Sequence, residues 1–152
     1  MRIFTVPYVN FTVDGLPVPK ARARTLKTGR SYTPQKTKDY EDNIRHIALN
    51  EYCLTETIEC RKRMVQLKPI TISCAILISI YLPVPKSFNK RMTELCLSGS
   101  ERPKSKPDLD NVAKAILDAL NGVVYKDDSQ ICELFVKKMY CTKPRVEVFV
   151  WI

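Results

Sequence analysis

The stretch that decides the fold is Ile70-Thr-Ile-Ser-Cys-Ala-Ile-Leu-Ile-Ser-Ile-Tyr-Leu82. Its residues are apolar with few polar interruptions, and Pro83 and Pro85 follow it. Strands that are buried on both faces have such nearly continuous apolar runs. The stretch therefore predicts a strand over 70–82 that lies in the centre of a β-sheet.

Three further strands are predicted on either side of this run. Residues 2–13 are β-branched and aromatic, and Pro7 indicates an edge strand or a bulge. Residues 130–141 and 145–152 are also strand-like, and the valines at 146, 148 and 150 alternate with polar or aromatic residues. Because only Thr142-Lys-Pro144 separates these last two strands, we expect a final hairpin.

Two helices are predicted between the strands. Thr33-Pro34 is typical of a helix start, and apolar residues then recur at helical spacing to about Cys53. A second helix is expected from Leu109 to Asn121, where Asn121-Gly122 ends it. Residues 54–68 stay unassigned. The order of elements predicts an α/β (α+β) fold in one small domain over residues 1–152. We expect a mixed β-sheet of about four to five strands, packed with two main helices.

Composition excludes several classes of protein. At 152 residues, 45% apolar and 27% charged, the chain is typical of one globular domain. The longest apolar run, 74–82, is too short to cross a membrane, and residues 1–20 contain no signal-peptide core. A cytoplasmic location is therefore expected. Six cysteines without a CxxC pair, together with the single His46, argue against a zinc site.

Charge is distributed unevenly along the chain. Residues 1–107 hold 19 Lys and Arg against 9 Asp and Glu, whereas residues 108–152 hold 6 against 7. A surface rich in positive charge attracts polyanions such as nucleic acid. Two basic stretches, 17–38 and 86–106, are predicted to contact DNA phosphates, although a solvated surface is the alternative. Residues 17–32 and the second stretch are expected to be irregular loops. The candidate DNA-binding residues are Lys20, Arg22, Arg24, Lys27, Arg30, Lys104 and Lys106.

Five carboxylates are concentrated between positions 108 and 128 of this basic protein. Asp108 and Asp110 lie at the predicted start of the second helix, Lys114 and Asp118 follow at four-residue spacing, and Asp127-Asp128 precede the next strand. Asp127-Asp128 are predicted to fold back against the helix start. Mg²⁺ prefers oxygen ligands, with one or two carboxylates completed by water and substrate phosphates. The pattern indicates a divalent-metal site with an adjacent lysine that stabilises the transition state.

Each of these residues also has a purely structural interpretation. Asp110 is a suitable helix N-cap, and the residues at 110, 114 and 118 are suitably spaced for an exposed salt-bridge ladder of little energetic value. Asp127-Asp128 are compatible with a simple turn. Asp118 lies in the middle of the predicted helix and is expected to orient Lys114 or a ligand rather than to bind metal.

The order Lys106-Pro-Asp-Leu-Asp-Asn111, Asp118-Ala-Leu120 and Tyr125-Lys-Asp-Asp-Ser-Gln-Ile131 resembles the signature of RusA-type Holliday-junction resolvases. These endodeoxyribonucleases are often carried by phages and prophages. The resemblance is close over 104–133 and looser over 15–34. It implies a small mixed α/β fold and a homodimer that nicks four-way DNA junctions in recombination and repair, with Mg²⁺ or Mn²⁺ as the cofactor.

The same resemblance assigns roles to residues. It implies that Asp108, Asp110 and Asp128 bind the metal, that Lys114 is catalytic and that Asp127 assists. It implies branched DNA as the partner, with no membrane and no nucleotide cofactor. Cleavage of other branched DNA, such as flaps and forks, or junction binding without catalysis, are the alternative functions.

Overall fold

A computed structural model describes residues 8–22, 24–25, 31–55 and 68–152 of the chain. They form a single small α+β domain with a four-stranded mixed sheet and three α-helices, so the predicted fold class is confirmed. The elements are β1 (Val9–Asp14), β2 (Arg24–Thr25), β3 (Ser31–Tyr32), α1 (Gln35–Thr55), β4 (Cys74–Pro83), α2 (Lys90–Leu97), α3 (Leu109–Leu120), a short 3₁₀ helix (Asp128–Gln130), β5 (Ile131–Cys141) and β6 (Arg145–Trp151).

Strand β4 occupies the interior of the sheet, whose order is β1-β6-β4-β5. It runs parallel to β5 and antiparallel to β6. Ile76, Ile78 and Ile80 are fully buried, and Ala75 and Ser79 on the alternate positions are buried as well. Burial of both sets of positions is why the apolar run at 70–82 correctly predicted a central strand. The regular strand begins only at Cys74, since Ile70 forms an isolated bridge with Tyr125.

The predicted hairpin between β5 and β6 is wrong, because β4 lies between these two strands. The register aligns Pro83 with Cys141 and Tyr81 with Arg145, so the link 142–144 passes over the end of β4. Crossing two strand spacings requires about 10 Å, which is within the reach of about 15 Å that four Cα steps provide. Because the link is only three residues long, β5 and β6 were predicted to be adjacent. The structure instead places β4, the more apolar strand, between them.

Helices α1 and α3 pack together, α1 also contacts β1, and α3 contacts β5. Tyr40, Ile44 and Ala48 recur every four residues along the buried side of α1. The buried side of α3 comprises Val112, Ala113, Ala115, Ile116, Ala119 and Leu120. Small alanines let α3 approach its neighbours closely. The valines at 146, 148 and 150 of β6 complete this core.

The two basic stretches contain more regular structure than predicted. Helix α2 lies within 86–103, with Asn89 as its N-cap: the Asn89 side chain accepts a hydrogen bond from the Met92 backbone nitrogen at 2.9 Å. Strands β2 and β3 pair within the segment predicted to be a loop over 17–32. The helix start predicted at Thr33-Pro34 is confirmed to within two residues. No helix in the described ranges is long and apolar enough to span a membrane.

Replacing Ile78 by alanine tests the central position of β4. Ile78 is fully buried, so Ile78→Ala is expected to lower the free energy of unfolding by about 3 kcal/mol in urea denaturation. Ile72 is 58% exposed, and Ile72→Ala is the matched control with an expected change below about 0.5 kcal/mol. Equal effects of the two substitutions would contradict the burial of β4.

Candidate active site

The start of α3 presents polar groups to solvent because the opposite side of the helix is buried. Asp108 is the N-cap residue, and its carbonyl accepts the first helical hydrogen bond from the Val112 nitrogen at 3.2 Å. The predicted N-cap, Asp110, instead lies in the first turn. Asp110 and Lys114 are both exposed, and their four-residue spacing places them on the same side of the helix.

Lys138 of β5 anchors the loop that leads into α3. Its ammonium donates to the carbonyl oxygen of Ser105 at 2.8 Å and to that of Pro107 at 3.1 Å. Lys138 is the register partner of buried Ile80, so it occupies a position that faces the core layer. Lys138 is not among the residues predicted from the sequence. The available signal was a lysine at an inward-facing position of a strand whose other inward-facing residues are apolar.

Lys20 anchors the other side of α3. Its backbone nitrogen donates to the Asn111 carbonyl oxygen at 2.8 Å. Its ammonium lies 2.6 Å from a carboxylate oxygen of Glu41 in α1 and 2.7 Å from one of Asp118 in α3. Burial disfavours the charged form of Lys20, but the hydrogen bonds to Asp118 and Glu41 outweigh it and raise the Lys20 pKa. Lys20 therefore joins the segment after β1 to both helices.

This arrangement changes the interpretation of two predicted residues. The ammonium of Lys20 already contacts two carboxylates, so Lys20 is an internal anchor and no longer a leading candidate for phosphate contact. Asp118 pairs with Lys20, and in the described part of the chain Lys114 has no ion pair or side-chain hydrogen bond. The predicted ladder through 110, 114 and 118 is therefore not formed, and Asp118 does not orient Lys114.

The other predicted DNA-binding residues differ in their surroundings. Arg22 and Lys106 are exposed, and Arg24 lies in β2. Lys104 is exposed and pairs with Glu101 at 2.7 Å, a surface contact of small energetic value. Lys27 and Arg30 lie outside the described residues.

Asp127 and Asp128 are adjacent, but they have different roles in the local structure. The Asp127 carboxylate accepts a hydrogen bond from the Ser129 backbone nitrogen at 3.0 Å, and the Gln130 side chain accepts one from the Asp127 nitrogen at 2.9 Å. This capping box begins the 3₁₀ helix, and hydrogen bonds from Ser129 hold the pKa of Asp127 below its usual range. The Asp128 carboxylate is exposed and has no hydrogen bond or ion pair with a described residue.

The three aspartates predicted to bind one metal ion, Asp108, Asp110 and Asp128, do not form a closed metal site by themselves in the described chain, and their joint role stays a prediction. Within the described ranges, no three side chains of Asp, Glu, His or Cys lie close enough together to hold a metal ion. The Tyr125 hydroxyl donates to the Leu117 carbonyl at 2.8 Å. Burial raises the pKa of Tyr125, and nearby negative charge, including that of Asp128, contributes less to the same shift.

The start of α3 still fits a hard divalent cation. Neither Asp108 nor Asp110 forms a side-chain hydrogen bond or ion pair with any described residue, so their oxygens are available as ligands. Mg²⁺ typically takes one or two carboxylates and completes its coordination with water and substrate phosphates. These two aspartates supply that donor set without a closed protein cage.

Comparison with known proteins assigns the chain to a family. A family model described as endodeoxyribonuclease RusA matches residues 14–151. The chain therefore belongs to the RusA endodeoxyribonuclease family, and membership implies endodeoxyribonuclease activity. Nucleases of this family are typically metal-dependent. The chain is also similar to the uncharacterized protein YqaN of Bacillus subtilis (strain 168), with 34% identity over 147 residues that cover 93% of this chain and 94% of the relative.

Removing the Lys20 ammonium tests its anchoring role. Lys20→Met leaves Glu41, whose side chain is only 9% exposed, without its cation. The free energy of unfolding is expected to fall by about 2 kcal/mol, measured by urea denaturation. Adding Glu41→Gln to the same chain should recover part of this loss, because the uncompensated charge is removed.

Lys38→Met is the matched control for Lys20→Met. Lys38 is exposed on α1 and has no ion pair with a described residue, so its replacement should change the free energy of unfolding by less than about 0.5 kcal/mol. If Lys20→Met were no more destabilising than Lys38→Met, the anchor would contribute nothing to stability.

Proposed function

We propose that this protein is a Mg²⁺-dependent endodeoxyribonuclease that nicks four-way DNA junctions, and that it acts as a homodimer. The observation that carries the proposal is the exposed start of α3. There a RusA-family chain presents Asp108, Asp110 and Lys114 with no protein partner among the described residues. Clustered carboxylates repel both one another and the DNA backbone unless a cation compensates. A bound divalent ion is the natural compensation.

Two aspartates in this proposal hold the ion against the scissile phosphate. Asp108 is fixed by its N-cap position and by the Lys138 anchor on the preceding residue, and Asp110 follows within the first turn. Mg²⁺, or Mn²⁺, held there would neutralise the phosphodiester and provide an activated water. Anchoring on both sides of α3 keeps the two carboxylates in place when the polyanion approaches.

Lys114 supplies the second positive charge of the proposed site. Its ammonium is exposed about one turn after Asp110 and is not neutralised by a described carboxylate. A lysine at this point donates hydrogen bonds to the phosphoryl oxygens, whose negative charge grows in the transition state. This stabilisation requires a free ammonium, and the pairing of Asp118 with Lys20 occupies one of the two carboxylates that lie four residues from Lys114 on the helix.

The substrate proposal draws on charge and symmetry. The exposed residue Arg22 is close in sequence to Lys20, and the exposed residues Arg102 and Lys106 are close to the segment that Lys138 anchors. Contacts from such basic residues to phosphates position DNA without reading its sequence. A four-way junction has two-fold symmetry, and paired incisions require two active sites. A dimer with two-fold symmetry supplies them. Flaps and forks, the alternative substrates, need only one incision.

Asp110→Asn is expected to reduce nicking of a synthetic four-way junction by at least about 1,000-fold in Mg²⁺. Junction binding should stay within about threefold of the unmodified protein, because the basic residues remain. Gel assays of cleavage and of binding, with a matched panel of junction, fork, flap and linear duplex, provide the measurement.

Glu94→Gln is the control for Asp110→Asn, since it makes the same chemical change at an exposed position of α2. It should leave cleavage unchanged. Full activity of Asp110→Asn, or activity in a chelator, would reject the metal-dependent mechanism. Equal cleavage of linear duplex would reject selectivity for branched DNA, and preferential cleavage of flaps or forks would replace the junction as substrate.

The neighbouring aspartates before β5 allow a paired test of the role implied for Asp128. If Asp128 contributes to catalysis, Asp128→Asn should reduce cleavage at least about 100-fold with an unchanged free energy of unfolding. Asp127→Ala should instead lower the free energy of unfolding, because it removes the side chain that caps the 3₁₀ helix. Normal cleavage by Asp128→Asn would remove this residue from the proposed site.

A further inference from the structure

Strand β5 leaves one edge of the sheet open. It is the terminal strand in the order β1-β6-β4-β5, and in the described ranges it pairs only with β4. It is 11 residues long, and Leu134 and Phe135 in its first half are 43% and 55% exposed. A long exposed edge with apolar side chains is a template for pairing with another strand.

On one face of the sheet, the exposed side chains of β5 are an acid, an aromatic residue and a base. The register with β4 pairs Glu133 with Ala75, Phe135 with Leu77 and Lys137 with Ser79, so these three β5 residues share the face opposite the helices. Glu133 and Lys137 form no ion pair with any described residue. The strand therefore carries an acid and a base at equal distances on either side of an exposed aromatic residue.

We propose that β5 pairs antiparallel with β5 of a second copy of the chain, about a two-fold axis at Phe135. In this register Glu133 lies opposite the partner subunit's Lys137, and Lys137 lies opposite the partner subunit's Glu133. Phe135 meets the partner subunit's Phe135, while Leu134 lies opposite the partner subunit's Val136 on the helix side. The result is a continuous eight-stranded sheet. Strand pairing of this kind satisfies backbone groups that are otherwise left to water.

The charge pattern selects both the occupant and the register. A two-fold axis perpendicular to the sheet requires residues that lie opposite each other to point to the same face. The numbers of two opposite residues add up to the same value along the whole pairing, and a shift of the register can change this value only by multiples of two. A shift in one direction places Glu133 opposite the partner subunit's Phe135, and a shift in the other places it opposite the partner subunit's Met139. Neither shift pairs opposite charges. Of these two-fold pairings of β5 with a second copy, the proposed register is the one that satisfies both charges at once.

This inference identifies the interface of the homodimer in the proposed function, but strand pairing itself does not depend on nuclease activity. Charge reversal tests it. Glu133→Lys places lysines opposite lysines twice per dimer, and Lys137→Glu places acids opposite acids twice. Each single variant is expected to raise the dissociation constant of the dimer at least about tenfold, measured by sedimentation velocity, because two attractive pairs become repulsive. The doubly reversed chain, with Glu133→Lys and Lys137→Glu, should regain the original affinity.

Mixing the two single variants gives the most selective result. A chain with Glu133→Lys and a chain with Lys137→Glu are complementary at both positions, so an equimolar mixture should form a heterodimer at concentrations where each variant alone is monomeric. Both substitutions are at exposed positions, and circular dichroism checks that each variant stays folded. Failure of the mixture to associate would overturn the register.

Other outcomes separate the interface from the proposed nuclease activity. If both single variants stay dimeric with unchanged affinity, the dimer uses another surface, and the inference fails whatever the cleavage assay shows. A monomeric unmodified protein at all concentrations also overturns it. A dimer that behaves as expected but cleaves no branched DNA with Mg²⁺ or Mn²⁺ would leave the interface standing and reject the proposed function.

Discussion

Burial of one side of α3 is the constraint on which the candidate site depends. Val112, Ile116 and Leu120 are fully buried, and this fixes the rotation of the helix about its axis. Because side chains four residues apart share a face, the same rotation places Asp110 and Lys114 in solvent. The site is therefore a consequence of packing: any shift that turned the helix would bury charged groups at a cost of several kcal/mol.

Five acidic residues on or near α3 fall into two groups with different surroundings. Glu41 and Asp118 lie at the junction of the two main helices, where Lys20 compensates both of them. Asp108, Asp110 and Asp128 face solvent without a described cation. The first group stabilises the fold only while its cation is present, since a buried carboxylate without a partner is costly. The second group keeps its oxygens available, which is what a ligand for a hard metal requires.

Local pattern was sufficient for much of the fold but not for the contacts between distant segments. The apolar run of β4, the alternation of valines in β6 and the bounds of α3 could all be predicted, because each depends on neighbouring residues. Helix α2 was missed within a basic, proline-bounded stretch, where only the cap at Asn89 indicated a helix start. The insertion of β4 between β5 and β6 could not be predicted, because a three-residue link is compatible with a hairpin and with a crossing.

The candidate site shows the same division. The exposed start of α3 with Asp108, Asp110 and Lys114 could be located from spacing alone. The anchors could not, since Lys20 and Lys138 reach partners that lie far away in sequence.

The strand order also constrains how the chain can fold. Among the described strands, β1 is the first along the chain and β6 is the last, and β1 pairs with β6 alone. In the described sheet no pair of strands joined by a tight turn can form first and serve as a nucleus, because β4 separates the two that follow each other most closely. Pairings between such distant segments make folding slow relative to helical proteins of the same size. During synthesis β1 must therefore wait for nearly the whole polypeptide to leave the ribosome before it finds its partner.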